Sequence, residues 1–303
     1  MIGENRMSTT TNVFENAVIL SIDCHSWGNT KKIPVERIKQ ISNEELSEWL
    51  RVNKGLIDKS AMEEVSQQIN KFRNTCKAYS LPFPGEGVYL VPLSNVQLLT
   101  SKLESIIEDF QSAISTLVLH FDEYIDAAQE ELGDFFNQED YPKDIRRKFG
   151  MNYRFLSMAV PGELQKISPE VFKEEEQKFK TMMEETRKEC IVYLREGFLE
   201  AVTKITSILK EKEDGETRRL HTRTLDKIEN LYNEFKTKNL FKDDALQKIM
   251  EETRSILFGI DNKDLTESAG LRKHIIKQME EVQDVLTSGI ETVRRKVSFR
   301  KEK

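Results

Sequence analysis

Two very long amphipathic stripes constrain this fold more than any other feature of the sequence. In each, apolar residues recur at steps of three and four, which places them on one side of an α-helix. The first stripe runs from Val96 to Ala128 and on to about Leu132, and the second runs from Phe172 to Leu209. The first predicts a helix about 55 Å long. Because an isolated long helix cannot bury such a stripe, the two are expected to pack as an antiparallel hairpin.

Local signals place the remaining helices. Ser168 supplies an N-cap for the second long helix, and Pro169 suits its first helical position. Three further helices are predicted at 216–238, 243–258 and 271–297, each with its own apolar stripe. The C-terminal half is therefore expected to form an antiparallel bundle or a coiled coil.

The N-terminal third has short strands between helices. The predicted strands, each an alternating or turn-bounded apolar run, are 17–27, 87–92 and 152–160. A helix is predicted over 60–79, started by a capping box of Ser60 and Glu63. Another helix is predicted over 44–53.

These elements together predict an α+β protein that is predominantly α. A small β-sheet domain is expected from residues 1–93 plus 145–162. The long helical hairpin and the C-terminal bundle or coiled coil are expected from residues 94–144 plus 163–303. Patterning does not determine the order of the strands.

Charge and cysteine content narrow the class of protein. The 46 Lys and Arg against 52 Asp and Glu give a net charge of -6, which argues against a surface built throughout to coat nucleic acid. Cys24, Cys76 and Cys190 lie far apart with no CxxC pair, as in a reducing compartment. The sequence has no signal peptide and no run of about 18 apolar residues, so a cytoplasmic protein that does not enter a membrane is expected.

The common signatures of enzyme chemistry do not occur. GxxxxGK[ST], GxGxxG, GxSxG and HExxH are all missing. Cys24 and His25 are neighbours on a predicted strand, so their side chains point to opposite faces and cannot pair. His120 lacks a second histidine one turn away, and the acidic stretch 261–267 lacks calcium-loop spacing. No catalytic residue, metal or cofactor is predicted, and an enzyme built on scattered carboxylates stays open as an alternative.

Two loops are predicted to contact partners. One spans 27–32 and the other 80–87, and both carry aromatic residues of the kind that anchor protein interfaces. Tyr89 suits core filling equally well. The candidate partner-binding residues are Trp27, Lys31, Lys32, Phe83 and Tyr89.

The C-terminal tail is locally basic. It could contact phosphates or an acidic partner, or its cations could complement the dipole of a solvated helix end. The residues concerned are Arg294, Arg295, Lys296, Arg300 and Lys301.

Several segments together carry a family resemblance. They are AVILSIDCHSWGNTKKI, the approach from Lys54-Gly55-Leu56 to Ser60, LPFPGEGVYLVP, EDF, IRRKFGMNYRFLSMAV and DLTESAGLRKHI. This set resembles a bacterial and phage family of unknown function whose genes often lie beside those of MoxR-type AAA ATPases and von Willebrand A domain proteins. The resemblance implies association with an ATPase-driven remodelling system or a phage-related role, and it assigns no catalytic residues.

Three functions compete at this point. The first is a non-enzymatic interaction or adaptor component that binds proteins, or a second copy of itself, through helical seams and the two loops. The second is a nucleic-acid-associated phage or defence factor that uses the basic tail. The third is an unrecognised enzyme. The sequence favours the adaptor.

Overall fold

The structure is predominantly helical and contains two small sheets. It is a computed structural model and describes residues 16–34, 36, 38, 49, 51–210, 222–257 and 268–298. The strands are β1 (Ala17–His25), β2 (Thr30–Lys32), β3 (Asn53–Gly55), β4 (Leu81–Pro82), β5 (Val88–Pro92) and β6 (Gly150–Leu156). The α-helices are α1 (Glu63–Tyr79), α2 (Leu93–Leu119), α3 (Phe121–Leu132), α4 (Glu163–Ile167), α5 (Pro169–Leu209), α6 (Thr222–Lys238), α7 (Asp244–Leu257) and α8 (Ala269–Ser298). The predicted class, α+β and predominantly α, is confirmed.

The chain forms two compact units, each assembled from separate stretches of sequence. The bundle unit comprises Met1–Leu20, Ala78–Val96 and Phe155–Lys303, and the α1–α3 unit comprises Ser21–Lys77 and Gln97–Arg154. All four boundaries fall inside regular elements, namely β1, α1, α2 and β6. The predicted division grouped α2 and α3 with the C-terminal helices, whereas the contacts group most of α2 and all of α3 with α1.

The strands form one sheet of four and one of two. The larger sheet has the order β4-β5-β1-β6, and β4 and β5 are antiparallel. The ring of His25 lies against Gly150, so the end of β1 meets the start of β6, as in an antiparallel pair. In the smaller sheet β2 and β3 are antiparallel, with Lys31 opposite Lys54.

Strand prediction succeeded only for the longer strands. β1, β5 and β6 were predicted, but β1 ends at His25, and the strand predicted over 152–160 in fact begins at Gly150 and ends at Leu156. β2, β3 and β4 were not predicted. Each has two or three residues, which is too short to display a period-two pattern.

In the bundle unit, α5 and α8 pack against each other as a long antiparallel pair. The ammonium of Lys210 lies 2.8 Å from a carboxylate oxygen of Glu280, and Arg294 forms an ion pair with Glu196. Residue numbers thus rise along α8 as they fall along α5. The core between the bundle helices comprises Phe198, Val202, Ile205, Leu209, Ile228, Tyr232, Phe235, Leu246, Met250, Leu257, Ile275, Met279 and Leu286.

The partner of α5 differs from the one expected. The sequence analysis predicted that α5 packs against α2, the helix that follows Pro92. Instead, α5 packs most extensively against α8. An apolar stripe requires a partner and does not specify which one. Here α6 and α7 add their own stripes to the same core, so the C-terminal half is a bundle, as predicted.

In the α1–α3 unit, the first predicted long helix is divided at His120. This residue has φ -102° and ψ 8°, outside the helical region, and its Nδ1 lies 2.9 Å from a carboxylate oxygen of Glu123. Helix α2 therefore has 27 residues, about 40 Å. The buried stripe passes from Leu117 to Phe121 without a gap, so apolar spacing alone could not reveal the break.

One helix start was predicted correctly and one was not. The Ser168 side chain accepts a hydrogen bond from the backbone N–H of Val171 and caps α5, as predicted. Ser60 does not cap α1. Asp58 instead accepts from the backbone N–H of Ser60 at 2.7 Å, and a short 3-10 helix over Lys59–Met62 leads into α1.

Two predictions fall largely or wholly outside the described residues. The helix over 44–53 does so for most of its length, and its last residue, Asn53, begins β3. The acidic stretch 261–267 also lies outside them.

Candidate partner-binding surface

Trp27 lies in the loop between β1 and β2, where its ring is half-buried against two other aromatic rings. The ring centroid is 5.7 Å from that of Phe121, at a nearly perpendicular angle of 80°, and 6.4 Å from that of Tyr141. Edge-to-face contacts of this kind are favourable and fix ring orientation. Lys31 and Lys32 follow on β2, and both are exposed. We call the exposed parts of Trp27, Lys31 and Lys32 the Trp27 surface.

Asn29 fixes the loop that carries Trp27. Its side-chain amide donates to the carbonyl oxygen of Ile57 at 2.8 Å, and its side-chain oxygen accepts from the N–H of Ile57 at 2.9 Å. The backbone N–H of Leu56 also donates to the carbonyl oxygen of Asn29. Asn29 therefore joins the two sides of the β2–β3 pair at the end nearest Trp27.

We expect Asn29→Ala to lower the free energy of unfolding of the α1–α3 unit by about 1–2 kcal/mol, because two partly buried polar groups of Ile57 lose their partners. Urea unfolding followed by tryptophan fluorescence measures this. Asn137→Ala is the matched control, since Asn137 accepts one exposed bond from the N–H of Glu139. Equal effects of the two variants would contradict the role assigned to Asn29.

Asp140 forms ion pairs with two lysines of the β2–β3 pair. Lys31 and Lys54 lie opposite each other across the β2–β3 pair, an arrangement that is unfavourable for like charges. A carboxylate oxygen of Asp140 lies 3.0 Å from the Lys31 ammonium, and the other lies 2.7 Å from that of Lys54. The Lys54 and Asp140 side chains are only 7% and 8% exposed, whereas that of Lys31 is 53% exposed. Lys54 also donates to the carbonyl oxygen of Phe135.

The surroundings of Asp140 favour its charged form. Burial alone would raise the pKa of Asp140, but hydrogen bonds from Lys54 and Lys31 outweigh it and hold the pKa below its usual value. The neighbouring Tyr141 hydroxyl donates to the carbonyl oxygen of Leu56 at 2.6 Å. Burial, and then the Asp140 charge, raise the pKa of Tyr141. The buried polar groups here support the loop.

Two of the three cysteines are poorly suited to nucleophilic chemistry. Burial raises the pKa of Cys76 and that of Cys190 to about 12, so neither is a thiolate near neutral pH. Within the described ranges, no group of three or more His, Cys, Asp or Glu side chains is placed to hold a metal ion. Among the described residues around Trp27, the titratable side chains Lys31, Lys54 and Asp140 are engaged in ion pairs with one another.

The structure places the predicted contact residues in both units. Trp27, Lys31 and Lys32 are together in the α1–α3 unit, whereas Phe83 and Tyr89 belong to the bundle unit. Phe83 is partly buried against the cluster that contains Leu81 and Leu90. Tyr89 lies on β5 and is half-buried.

Only part of the basic tail is described. Arg294, on α8, forms an ion pair with Glu196 of α5. The side chains of Arg295 and Lys296 and the whole of Arg300 and Lys301 lie outside what the structure describes.

A shallow groove lies between α7 and α8 in the bundle unit. Its volume is about 430 Å³. Val285, on its wall, is exposed. The lining residues are Ile249, Glu252, Ser255, Ile256, Gln278, Glu281, Val282 and Val285. Its lining combines four aliphatic side chains with the carboxylates of Glu252 and Glu281, and no sequence pattern predicted it.

Sequence reasoning missed the residues that organise the Trp27 surface. Lys54 and Tyr141 are buried and Asp140 has a buried side chain, and each acts through a contact with a residue distant in the chain. The only sequence signal was the Lys54-Gly55-Leu56 segment in the family resemblance, which carried no role.

Comparison with known proteins gives a family. A family model described as "Protein of unknown function (DUF3150)" matches residues 14–273. The chain belongs to this family. The match includes the Trp27 surface, Asp140 and most of the bundle. Searches of curated proteins and of solved structures found no significant match. The match confirms the expectation of a family of unknown function, and it carries no function with it.

Among the described residues, no helix is both long and apolar enough to cross a bilayer.

Proposed function

We propose that this DUF3150 chain is a non-enzymatic adaptor that binds a protein partner through the Trp27 surface, as a component of an assembly driven by an AAA ATPase. The partner class comes from the family resemblance. The binding surface comes from the geometry around Trp27.

The observation that carries the proposal is the way in which Trp27 is held. Phe121 and Tyr141 contact its ring, and Asn29 fixes its loop. A tryptophan that is ordered before binding loses little conformational entropy when it is buried in an interface. Tryptophan is also enriched among the residues that dominate binding energy.

The neighbouring charges indicate the chemistry of the partner. Lys31 and Lys32 are both exposed, so positive charge lies close to the aromatic ring. The two are neighbours on β2, so their side chains point to opposite faces of the strand. Lys31 lies on the side of Asp140, which neutralises part of its charge, and Lys32 adds an exposed charge on the other side. A complementary partner would present an apolar pocket beside one or more carboxylates.

Binding measurements with purified proteins test the proposal. The probes are a MoxR-type AAA ATPase and a von Willebrand A domain protein from the same genome. We expect one of them to bind the full chain. Trp27→Ala should weaken binding about thirtyfold, as for a central aromatic contact. Lys32→Glu should weaken it about tenfold without disturbing packing.

Two results would contradict the proposal. One is the failure of both probes to bind the wild-type chain. The other is a combination: Lys32→Glu binds as tightly as the wild type, and Trp27→Ala and Tyr193→Ala lose affinity equally. Tyr193 is the matched control because it is a partly exposed aromatic residue of the bundle unit.

A further inference from the structure

Strand β6 is at the edge of the four-stranded sheet. The order β4-β5-β1-β6 gives it one neighbour, β1, and no strand in the described part of the chain pairs with its outer side. β6 has seven residues and no proline. Its outer side therefore presents a row of backbone N–H and C=O groups, which is the template that an added strand uses.

One face of β6 is anchored and the other is open. Met151 is buried, and Tyr153 is half-buried and hydrogen-bonds with Thr100 and Glu104 of α2. Asn152 and Arg154 alternate with them and are exposed. The strand is thus held in an extended conformation, with a cation on its open face.

A basic turn leads directly into β6. It spans 143–148, and its exposed cations are Lys143, Arg146, Arg147 and Lys148. Asp144 is the one acidic residue in this turn, and it forms an ion pair with Arg147. Among the described residues, Lys143, Lys148 and Arg154 form no ion pair. A chain with a net charge of -6 therefore carries concentrated positive charge at one sheet edge.

We propose that the outer edge of β6 binds an extended acidic segment of a partner protein, which adds to the sheet as a further strand. The backbone N–H and C=O groups on the outer side supply the hydrogen bonds, and Arg154 with the basic turn selects for Asp and Glu side chains. This site is separate from the Trp27 surface and does not depend on the adaptor proposal.

The geometry favours an acidic protein segment over two other occupants, nucleic acid and a second copy of this chain. Nucleic acid phosphates accept hydrogen bonds and do not donate them, so they would leave the carbonyl groups of the edge unsatisfied. A second copy of this chain would bring its own basic turn and Arg154 to the same edge, where like charges repel.

A synthetic peptide tests the proposal with the full chain. The probe is as long as β6, seven residues, and alternates glutamate with valine. We expect it to bind and to protect the amides of Gly150–Leu156 from hydrogen exchange. Two N-methylated peptides test whether binding uses the backbone: one is methylated at every glutamate and the other at every valine. The N–H groups of alternate residues point to opposite edges of an added strand, and only one of these edges faces β6. One of the two should bind about a hundredfold more weakly.

Charge-reversal variants test the role of the basic turn and supply a matched control. Arg146→Glu with Arg147→Glu should weaken binding of the peptide tenfold or more. Lys248→Glu with Lys277→Glu makes the same change in net charge in the bundle unit and should leave affinity unchanged.

Four outcomes would overturn the proposal. The first is no binding of the peptide, and the second is equal binding of both N-methylated peptides. The third is tighter binding of single-stranded DNA without protection of β6. The fourth is a dimer of the chain in sedimentation that itself protects β6.

Discussion

Replacing Asp140 with alanine is expected to lower the free energy of unfolding of the α1–α3 unit by about 3–5 kcal/mol. The substitution leaves Lys54, which is 7% exposed, without its counter-charge, and an uncompensated buried charge is strongly destabilising. It also leaves Lys31 and Lys54 facing each other. The measurement is urea unfolding followed by fluorescence of Trp27 in a Trp49→Phe background, which makes Trp27 the one remaining tryptophan.

Two further variants identify the cause. Asp144→Ala removes another ion-paired aspartate nearby, but the pair with Arg147 is exposed, so the expected loss is below about 1 kcal/mol. Adding Lys54→Met to Asp140→Ala should recover part of the lost stability, because it removes the buried Lys54 charge that has lost its counter-charge. If the double variant were less stable than Asp140→Ala alone, burial of the Lys54 charge would not be the cause.

The same pair predicts a pH dependence with a definite sign. The folded-state pKa of Asp140 is lowered, so its charged form stabilises the fold at pH values above its unfolded pKa, about 4. This contribution is lost as the pH falls through the lower folded-state pKa. The difference in stability between wild type and Asp140→Ala should therefore be constant from about pH 5 to 7 and shrink in stronger acid. A difference that grew on acidification would contradict this sign.

The second large effect is expected at Asp243, in the bundle unit. Its carboxylate accepts two hydrogen bonds from Arg195, at 2.8 and 2.9 Å, and also accepts from the backbone N–H of Leu246 at the start of α7. Asp243→Ala removes both a buried bidentate ion pair and a helix cap. We expect a loss of about 3–5 kcal/mol, measured by far-UV circular dichroism during urea unfolding.

The exposed pair between Arg254 and Glu229 is the matched control. It has the same bidentate geometry, with both distances 2.8 Å, but Glu229 is 45% exposed, whereas Asp243 is 5% exposed. Glu229→Ala should cost below about 1 kcal/mol. Asp243→Asn retains a cap acceptor and should fall between Asp243→Ala and wild type. Equal losses of stability in Asp243→Ala and Glu229→Ala would show that burial does not determine how much each ion pair contributes.

The parts of the fold that were predictable depend on neighbours in sequence. The start of α5 follows from Ser168 and Pro169, because a cap acts within three residues. The helical stripes follow from a spacing of three and four. The pairing of α5 with α8 could not be predicted, because one long apolar stripe can pack against any other, and the spacing does not specify which two helices pair.

The candidate surface was predictable only at its exposed parts. Trp27 and Lys31 stand out as an aromatic residue and a cation in a turn-rich loop. Asp140 does not, because it is one of 52 acidic residues, and its role arises only when the fold brings it against Lys54, 86 positions earlier in the chain. Ion pairs between distant segments leave no local pattern in a single sequence.

The placement of the unit boundaries inside β1, α1, α2 and β6 has a practical consequence for genetics. Any stop codon or deletion endpoint chosen at these boundaries would sever a strand or a helix and expose its apolar residues. Fragment libraries and two-hybrid deletion series would therefore report on misfolded pieces. Contact sites in this family are better mapped by single surface substitutions in the intact gene.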